Sequence, residues 1–420
     1  MKWAVRRSFT ADTLPFIETM EEIFDGDTLY KAYRAMLKAS STKPLAQKFE
    51  LDWLHNIAVL HEKLSLKEYI PGEKIQFVIR ERGKERLIRA APTADKVVQH
   101  AFCDNVLLPA VLPKLIYDNY ASLEKRGVSM ARRRLEILIH RYYRKHRNNK
   151  GYILLMDFSG YYDNLRHMLV YNAMSKCLNR EADLWLLKSI IKSCRKDVSY
   201  LTDEEICKLY YGKYKVMDYI GIPKEKLTGK KFLYKGLDIG DQVAQIAAIL
   251  YPTPIDNYVK IVRGEKYYGR YMDDSFIISN SREHLLELLK DIKVIAANLG
   301  IILNPKKVRI LPLSRTFIFL QIKYFLTSSG KLVKRLNPKR ITSMRRKLKK
   351  LAVMVKSKKR DYITIRNMFR GWSKDFYRLM SKKQRQDMDN LYKSLFKEEE
   401  EEYEKTIHIR PDYRKIYWRG

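Results

Sequence analysis

Two adjacent carboxylates, Asp273 and Asp274, stand in Tyr271-Met272-Asp273-Asp274 between two β-prone stretches, the second being Phe276-Ile277-Ile278. In a hairpin turn such a pair repels itself, and a protein tolerates it most easily with a cation between the two groups. Oxygen ligands of this kind suit Mg²⁺, which commonly binds one or two carboxylates plus substrate phosphates. Asp157 supplies a third carboxylate. It ends the apolar run Tyr152-Ile153-Leu154-Leu155-Met156 and is followed by Phe158-Ser159-Gly160-Tyr161-Tyr162. A buried strand that ends on Asp puts the carboxylate at the rim of a sheet, where it can meet the turn of a neighbouring strand and complete a two-metal site. An Asp-Asp pair alone also serves as turn filler. The strand-end Asp, the flanking β-runs and the basic chain around them favour the metal reading.

The charge supports this direction. Lys+Arg 83 against Asp+Glu 48 leaves +35 over 420 residues, far beyond what solubility requires. Such an excess points to a polyanionic partner, most simply nucleic acid. An anionic membrane surface is the other candidate, but it usually needs a basic amphipathic helix or a lipidation signal beside it. No apolar run approaches a membrane span and the first twenty residues hold no signal-peptide core, so the protein is placed in the cytoplasm with no membrane partner. The four cysteines (Cys103, Cys177, Cys194, Cys207) form no C-x-x-C pair and read as reduced thiols. The eight His residues form no metal cluster, and Gly264 and Gly269 read as turn glycines.

Along the chain, residues 10–68 carry helical spacing, as in Phe16, Ile17, Met20 and Ile23. Lys74–Ile79 and Glu85–Arg89 read as two strands joined by a turn at Arg82-Gly83-Lys84. A helix is expected after Pro92, capped by Thr93. Residues 124–150 are dense in Arg and Lys, and residues 165–230 read as helices followed by charged loops. A helix over 282–299 stops at Gly300, and Phe317–Leu320 reads as a strand. From Lys331 to Arg360 there are 14 Lys/Arg and no Asp/Glu, with Ile341, Met344, Leu348, Leu351 and Val355 at helical spacing. This predicts a basic amphipathic helix or helix pair. Trp372 and Phe376 share a helical face, in a core role or stacking on bases. The acidic run Glu398–Glu402 reads as a solvated helix face.

Taken in order, these motifs resemble the reverse transcriptases over roughly residues 75–325. The resemblance implies an α/β (α+β) right-hand polymerase: a helical N-terminal extension over 1–70, fingers and a palm around a small antiparallel sheet over 71–325, and a basic helical thumb and tail over 326–420. It implies that Asp157, Asp273 and Asp274 hold two Mg²⁺ ions, with Mn²⁺ able to substitute, and that the Phe158 carbonyl is a further ligand. Tyr162 falls where the family places a ring under the sugar of the incoming nucleotide; steric exclusion of a 2′-OH then selects dNTPs. The other reading of such a ring is palm packing, which suits Tyr161 better. Arg80–Arg86 looks like the hairpin that closes over the triphosphate, with Arg86 and Arg80 as the phosphate contacts, or as solvated charges.

Gly236-Leu237-Asp238-Ile239-Gly240-Asp241-Gln242-Val243-Ala244-Gln245 occupies the place of the family's Gln-Gly-x-x-x-Ser-Pro. Ile239 stands at the Gln position, Gln245 at the Pro position, and Gly240 lets the backbone approach the nascent pair. This variant resembles the diversity-generating retroelement reverse transcriptases and related defence-associated bacterial lineages. Asp238 for an expected Pro and Ala244 for an expected Ser depart from it. Asp256, Tyr268 and Arg270 fall at matching offsets. Lys307, in Leu303-Asn304-Pro305-Lys306-Lys307, reads either as a general acid near the leaving pyrophosphate or as a phosphate-facing surface Lys. Phe317–Leu320 looks like the primer grip, with Gln321 where the family has Gly. Tyr271 and the thumb cations Lys339, Arg340, Arg345 and Arg346 are the primer and template contacts. The partners implied are an RNA template, a DNA or RNA primer and dNTPs. A small basic accessory protein would join them in a diversity-generating element, or a dedicated noncoding RNA in phage defence. The competing class is a nucleic-acid-binding protein whose polymerase centre has lost activity.

Overall fold

The computed structural model describes residues 24–38, 40–81 and 83–409. Phe16, Ile17, Met20 and Ile23, which open the expected helical region, lie outside the described residues, as does Arg82. The chain forms two compact units. One runs to Leu135 and resumes over Leu154–Ile310; the other takes Glu136–Ile153 and the chain from Leu311 onward.

The first unit opens with helices α1 (Gly26–Leu37), α2 (Pro44–Glu50) and α3 (Trp53–Ser65). Asp25 caps α1 by accepting from the Thr28 N–H at 2.6 Å. The apolar side of α1, with Leu29, Ala32, Tyr33 and Met36 buried, packs on α4 (Thr93–Phe102). Thr93 does not cap α4: it is the first helical residue, Pro92 holds the cap position, and the Thr93 hydroxyl donates instead to Leu45 O at 3.1 Å. Between them β1 (Ile75–Glu81) and β2 (Lys84–Ala90) form an antiparallel hairpin from Ile75↔Ala90 to Glu81↔Lys84. Gly83 supplies the left-handed turn conformation, φ +76.

After α5 (Val128–His146), β3 (Tyr152–Met156) leads into the short α6 (Tyr161–Asn164) and then α7 (His167–Ser175) and α8 (Glu181–Ser193). The small pair β4 (Lys196–Asp197) and β5 (Phe232–Leu233) brackets α9 (Asp203–Tyr211), which starts with a Thr202/Glu205 capping box. Next come α10 (Gln242–Leu250), α11 (Thr253–Asn257), the hairpin β6 (Tyr268–Tyr271) and β7 (Asp274–Ser279), α12 (Arg282–Asn298) and β8 (Arg309–Pro312). Gly300 follows the end of α12 at φ +68, as the helix stop requires. The strand order is β6-β7-β3-β8, and the chain passes between the two units within α5, β3 and β8. Gly269 is not a turn glycine. It lies inside β6 against the Tyr120 ring, and a Cβ there would meet the Tyr120 hydroxyl at 2.4 Å.

In the second unit β9 (Phe317–Phe319), β10 (Ile322–Leu326) and β11 (Leu332–Leu336) form a three-stranded sheet in the order β11-β10-β9. The helical reading of residues 332–336 is therefore corrected. Those residues form a strand paired with β10, and the basic helix α13 (Pro338–Lys356) begins only after Asn337, which caps it. Ile341, Met344 and Leu348 are buried along α13 as their spacing predicts. On α14 (Tyr362–Phe376) Trp372 and Phe376 are buried, in the core role. Helices α15 (Lys382–Leu395) and α16 (Lys397–Ile409) complete the unit. Among the described residues no helix is long and apolar enough to cross a membrane.

Candidate active site

The β3 strand is apolar because both its faces pack; Ile153, Leu154 and Met156 are all buried. Asp157 follows at its end and is itself only 4% exposed. A segment 147 residues later holds it. Asn304 N donates to the Asp157 carbonyl at 2.8 Å, Asn304 Nδ2 to its Oδ1 at 3.1 Å, and Lys307 Nζ to its Oδ2. The neighbouring Phe158↔Leu303 bridge is closed by Ser159 N on Ile302 O and Asn304 N on Asp157 O; neither bond uses the Phe158 carbonyl.

The β6–β7 turn carries the other two carboxylates. Tyr271 pairs with Asp274, leaving Met272 and Asp273 as a two-residue turn, with Met272 in the left-handed region at φ +52. A non-glycine residue there is strained and needs support. Arg270 gives it: NH1 donates to Met272 O at 3.1 Å, while Nε and NH2 grip the Asp256 carboxylate and NH2 also reaches Ile249 O at 2.8 Å.

Asp157, Asp273 and Asp274 are electrostatic neighbours. Burial, then the charges of Asp273 and Asp157, push Asp274 up to about 7. Asp273 is raised by burial and by Asp157, against the pull of Lys307 and Arg86. Lys307 is raised despite its partial burial, because it hydrogen-bonds Asp157 and faces all three carboxylates. Tyr162 is pushed up to about 12 by burial and by Asp273. Tyr162 thus lies within the electrostatic reach of Asp273, whereas the Tyr161 hydroxyl is buried and donates to Ala248 O at 2.9 Å.

The remaining candidates separate. Arg86 acts electrostatically on Asp273. Arg80 is exposed on the hairpin and paired with Glu85, its cross-strand neighbour. The segment with Ile239 and Gly240 is tied to Tyr162 by Leu237 N on Tyr162 O at 3.0 Å. Gly240 has φ +107, and a Cβ there would meet nothing within 4 Å, so its backbone conformation rather than crowding calls for glycine. Gln245 accepts from the Ser122 hydroxyl at 3.3 Å. Tyr271 packs beside the buried cluster of Ala121, Leu123 and Ile249. In the second unit Lys339 and Arg346 are exposed, Arg340 donates to Gln321 and covers the Phe376 ring at 4.1 Å, and Arg345 lies 3.5 Å from Asp387.

Sequence reasoning passed over a second charged centre. Lys74 Nζ donates to Asp238 at 2.8 Å and Asp241 at 2.7 Å and lies 3.5 Å from Cys194 Sγ. Arg89 and Lys196 also bind Asp238. Burial would raise Asp238, but Lys196, Lys74 and Arg89 prevail and hold it at about 2. Cys194, Asp238 and Asp241 place three ligand atoms within 4.8 Å of one another. The Lys74 ammonium binds all three, so this group is an ion-pair knot and not a cation site. The signal was present in the sequence: Asp238 and Asp241 flank Ile239-Gly240 in an otherwise apolar segment, and buried carboxylates require partners.

The donor set of the first centre does fit a divalent cation. Three carboxylates face each other with one ammonium directly bound, and all-oxygen donors with surplus negative charge suit Mg²⁺.

A family model described as reverse transcriptase (RNA-dependent DNA polymerase) matches residues 73–324. No curated protein matches the chain. Among solved structures, telomerase from Candida albicans in complex with a fragment of telomeric RNA is similar at 11% identity and TM-score 0.42, over 67% of this chain and 49% of that one. Apo telomerase from Candida tropicalis is similar at 13% identity and TM-score 0.41, over 63% of this chain and 48% of that one. The chain thus spans about half the length of these solved structures.

Proposed function

Because the chain belongs to the reverse transcriptase family of RNA-dependent DNA polymerases, we propose that it makes cDNA from an RNA template, extending a DNA or RNA primer with dNTPs. The observation that carries this is the meeting of Asp157, at the end of β3, with Asp273 and Asp274 of the β6–β7 turn, beside Lys307. In this reading residues 71–325 are fingers and palm, with a helical extension before them and a basic thumb after.

Asp157, Asp273 and Asp274 would hold the divalent ions, with the Phe158 carbonyl as a further ligand. When bound, Mg²⁺ or Mn²⁺ acidifies the primer 3′-OH and neutralises the triphosphate. The chain's own residues do the positioning. Asn304 and Lys307 fix the Asp157 carboxylate, and Arg270 fixes the turn through Met272 O. Arg86 offers a guanidinium to the triphosphate. The Tyr162 ring excludes a 2′-OH, which selects dNTPs. Lys307 holds a proton on Nζ within reach of the site and can deliver it to the leaving pyrophosphate. Lys339 and Arg346, exposed on α13, suit phosphate contacts along a duplex.

Ile239-Gly240 with Gln245 supports the diversity-generating type, working with a small basic accessory protein and copying template adenines with errors. Asp238 and Ala244 depart from that pattern, and the second reading is a phage-defence enzyme acting on its own noncoding RNA. The test is primer extension on poly(rA)/oligo(dT) with Mg²⁺ and dTTP, beside the Asp273→Ala, Asp274→Ala variant. Incorporation by the wild type alone is expected; equal signals would sink the polymerase reading. Sequenced cDNA from a defined RNA separates the two settings. Errors concentrated at template adenines support the first, and uniform low error the second.

A further inference from the structure

A cavity of about 660 Å³ opens in the first unit between the base of the β1–β2 hairpin, the C-terminal end of α8 and the segment from β4 to β5. Its volume is that of a small-ligand site. The three carboxylates of the candidate active site do not line it.

Aliphatic side chains and the carboxylates Glu73 and Asp197 line part of its wall, and two further kinds of side chain bear on what it could bind. The first is cationic. Lys192 and Arg195 line it where α8 ends, and neither has a carboxylate partner among the described residues; Arg195 lies over the Phe232 ring at 4.4 Å. Arg89 and Lys196 line it as well. With Lys74 they place three cations on only two carboxylates, Asp238 and Asp241, and Arg89 Nε is buried without a hydrogen-bond partner. The second kind is aromatic. Tyr214 is buried and stacks on the half-buried Tyr219, centroids 5.6 Å apart and planes at 27°, with Tyr200 also on the wall. Surplus guanidinium and ammonium donors beside stacked rings match a phosphate joined to a flat, π-faced base.

We propose that this cavity takes one nucleotide of a single-stranded nucleic acid, its phosphate on Lys192 and Arg195 and its base against Tyr219. The proposal rests on the reading that the chain handles nucleic acid, and it adds a contact separate from the carboxylates. Arg89 and Lys196 belong both to the cavity wall and to the knot on Asp238, which immediately precedes Ile239 and Gly240. An occupant therefore lies beside the ion pairs on Asp238.

The test uses the full chain and an oligoribonucleotide carrying 4-thiouridine, irradiated and mapped by mass spectrometry. 4-Thiouridine 5′-monophosphate serves as the second arm. Crosslinks from the oligomer to peptides containing Tyr200 or Tyr219 are expected, with the mononucleotide failing to compete at micromolar concentration. The Tyr219→Ala change should weaken oligomer binding about tenfold. The Lys192→Ala, Arg195→Ala pair should lower the salt slope of binding by about 1.4 with an unchanged melting temperature. Crosslinks from the mononucleotide alone would overturn the single-strand assignment. Absence of crosslinks from residues 189–232 while primer extension is retained would overturn the site and leave the polymerase reading standing. Loss of both would remove the two together.

Discussion

Arg270 and Asp256 form a bidentate ion pair with both side chains fully buried, and the same guanidinium carries the Met272 carbonyl of the carboxylate turn. Removing one partner strands the other charge in the interior. Asp256→Ala or Arg270→Ala should each cost about 3–5 kcal/mol in urea denaturation. The paired replacement Arg270→Met, Asp256→Leu should restore much of that stability. It should not restore nucleotide incorporation, because Met272 at φ +52 then loses its support. Single-variant losses below about 1 kcal/mol would contradict the pair's structural role.

The carboxylate cluster sets stability against function. Burial and like charge push Asp274 up to about 7, so the cluster opposes folding when no divalent ion is present. Asp274→Asn should melt higher than the wild type in EDTA and yet incorporate no nucleotide. Mg²⁺ at about 100 times its Kd should stabilise the wild type by about 2.7 kcal/mol and the variant far less. Equal melting shifts on adding Mg²⁺ would show that the ion binds elsewhere.

Lys307 touches Asp157 yet keeps half its side-chain surface exposed. If it passes a proton to pyrophosphate, Lys307→Ala should slow single-turnover incorporation about 10²–10⁴-fold with primer–template affinity unchanged. Lys307→Arg should recover only part of the rate, since arginine gives up its proton poorly. A loss under tenfold with a raised KM for dNTP would instead mark a phosphate contact.

His167 provides a pH-dependent term away from the carboxylates. It is buried, its Nε2 lies 2.9 Å from Gly236 O, and burial, helped by Lys196 and Lys74, lowers it to about 4 against the pull of the Gly236 hydrogen bond and Asp238. Between pH 6.5 and about 4 the unfolded chain takes up a proton that the folded chain refuses. Stability from this group is therefore complete above 6.5 and falls as pH drops through that window. The total is about 3 kcal/mol. His167→Gln, which keeps an N–H for Gly236, should show a correspondingly shallower loss between pH 7 and 4.5; parallel curves would refute it.

Asp238 gathers Lys74, Arg89 and Lys196. Asp238→Asn should destabilise by about 3–5 kcal/mol by leaving buried cations under-compensated. Below the melting range its activity defect should be a raised KM for dNTP rather than a lowered kcat, since Ile239 and Gly240 lose their anchor. A pure loss of folded protein with normal KM would confine the knot to stability.

The β3 strand, the carboxylate turn, the hairpin of β1 and β2 and the stop at Gly300 were legible because each rests on local chemistry: an apolar run, a charged turn, a glycine at positive φ. The strand at Leu332–Leu336 was not, because Lys334, Arg335 and a leucine–valine pair suit either a helix or an edge strand until β10 supplies the partner. Gln321 shows a similar limit. It adopts φ +71 where a glycine is expected, and its side chain accepts from Arg340, a distant partner no local pattern announces. The Lys74 knot escaped for the same reason, as its members are 164 and 167 residues apart.

Asp157 is held by Asn304 and Lys307, the second of them 150 residues downstream. A ribosome adding about 5–20 residues per second needs roughly eight to thirty seconds to bridge that gap. For that interval the nascent chain carries the Asp157 strand without the groups that orient its carboxylate. The centre therefore lacks its orienting groups until the segment with Asn304 and Lys307 has emerged.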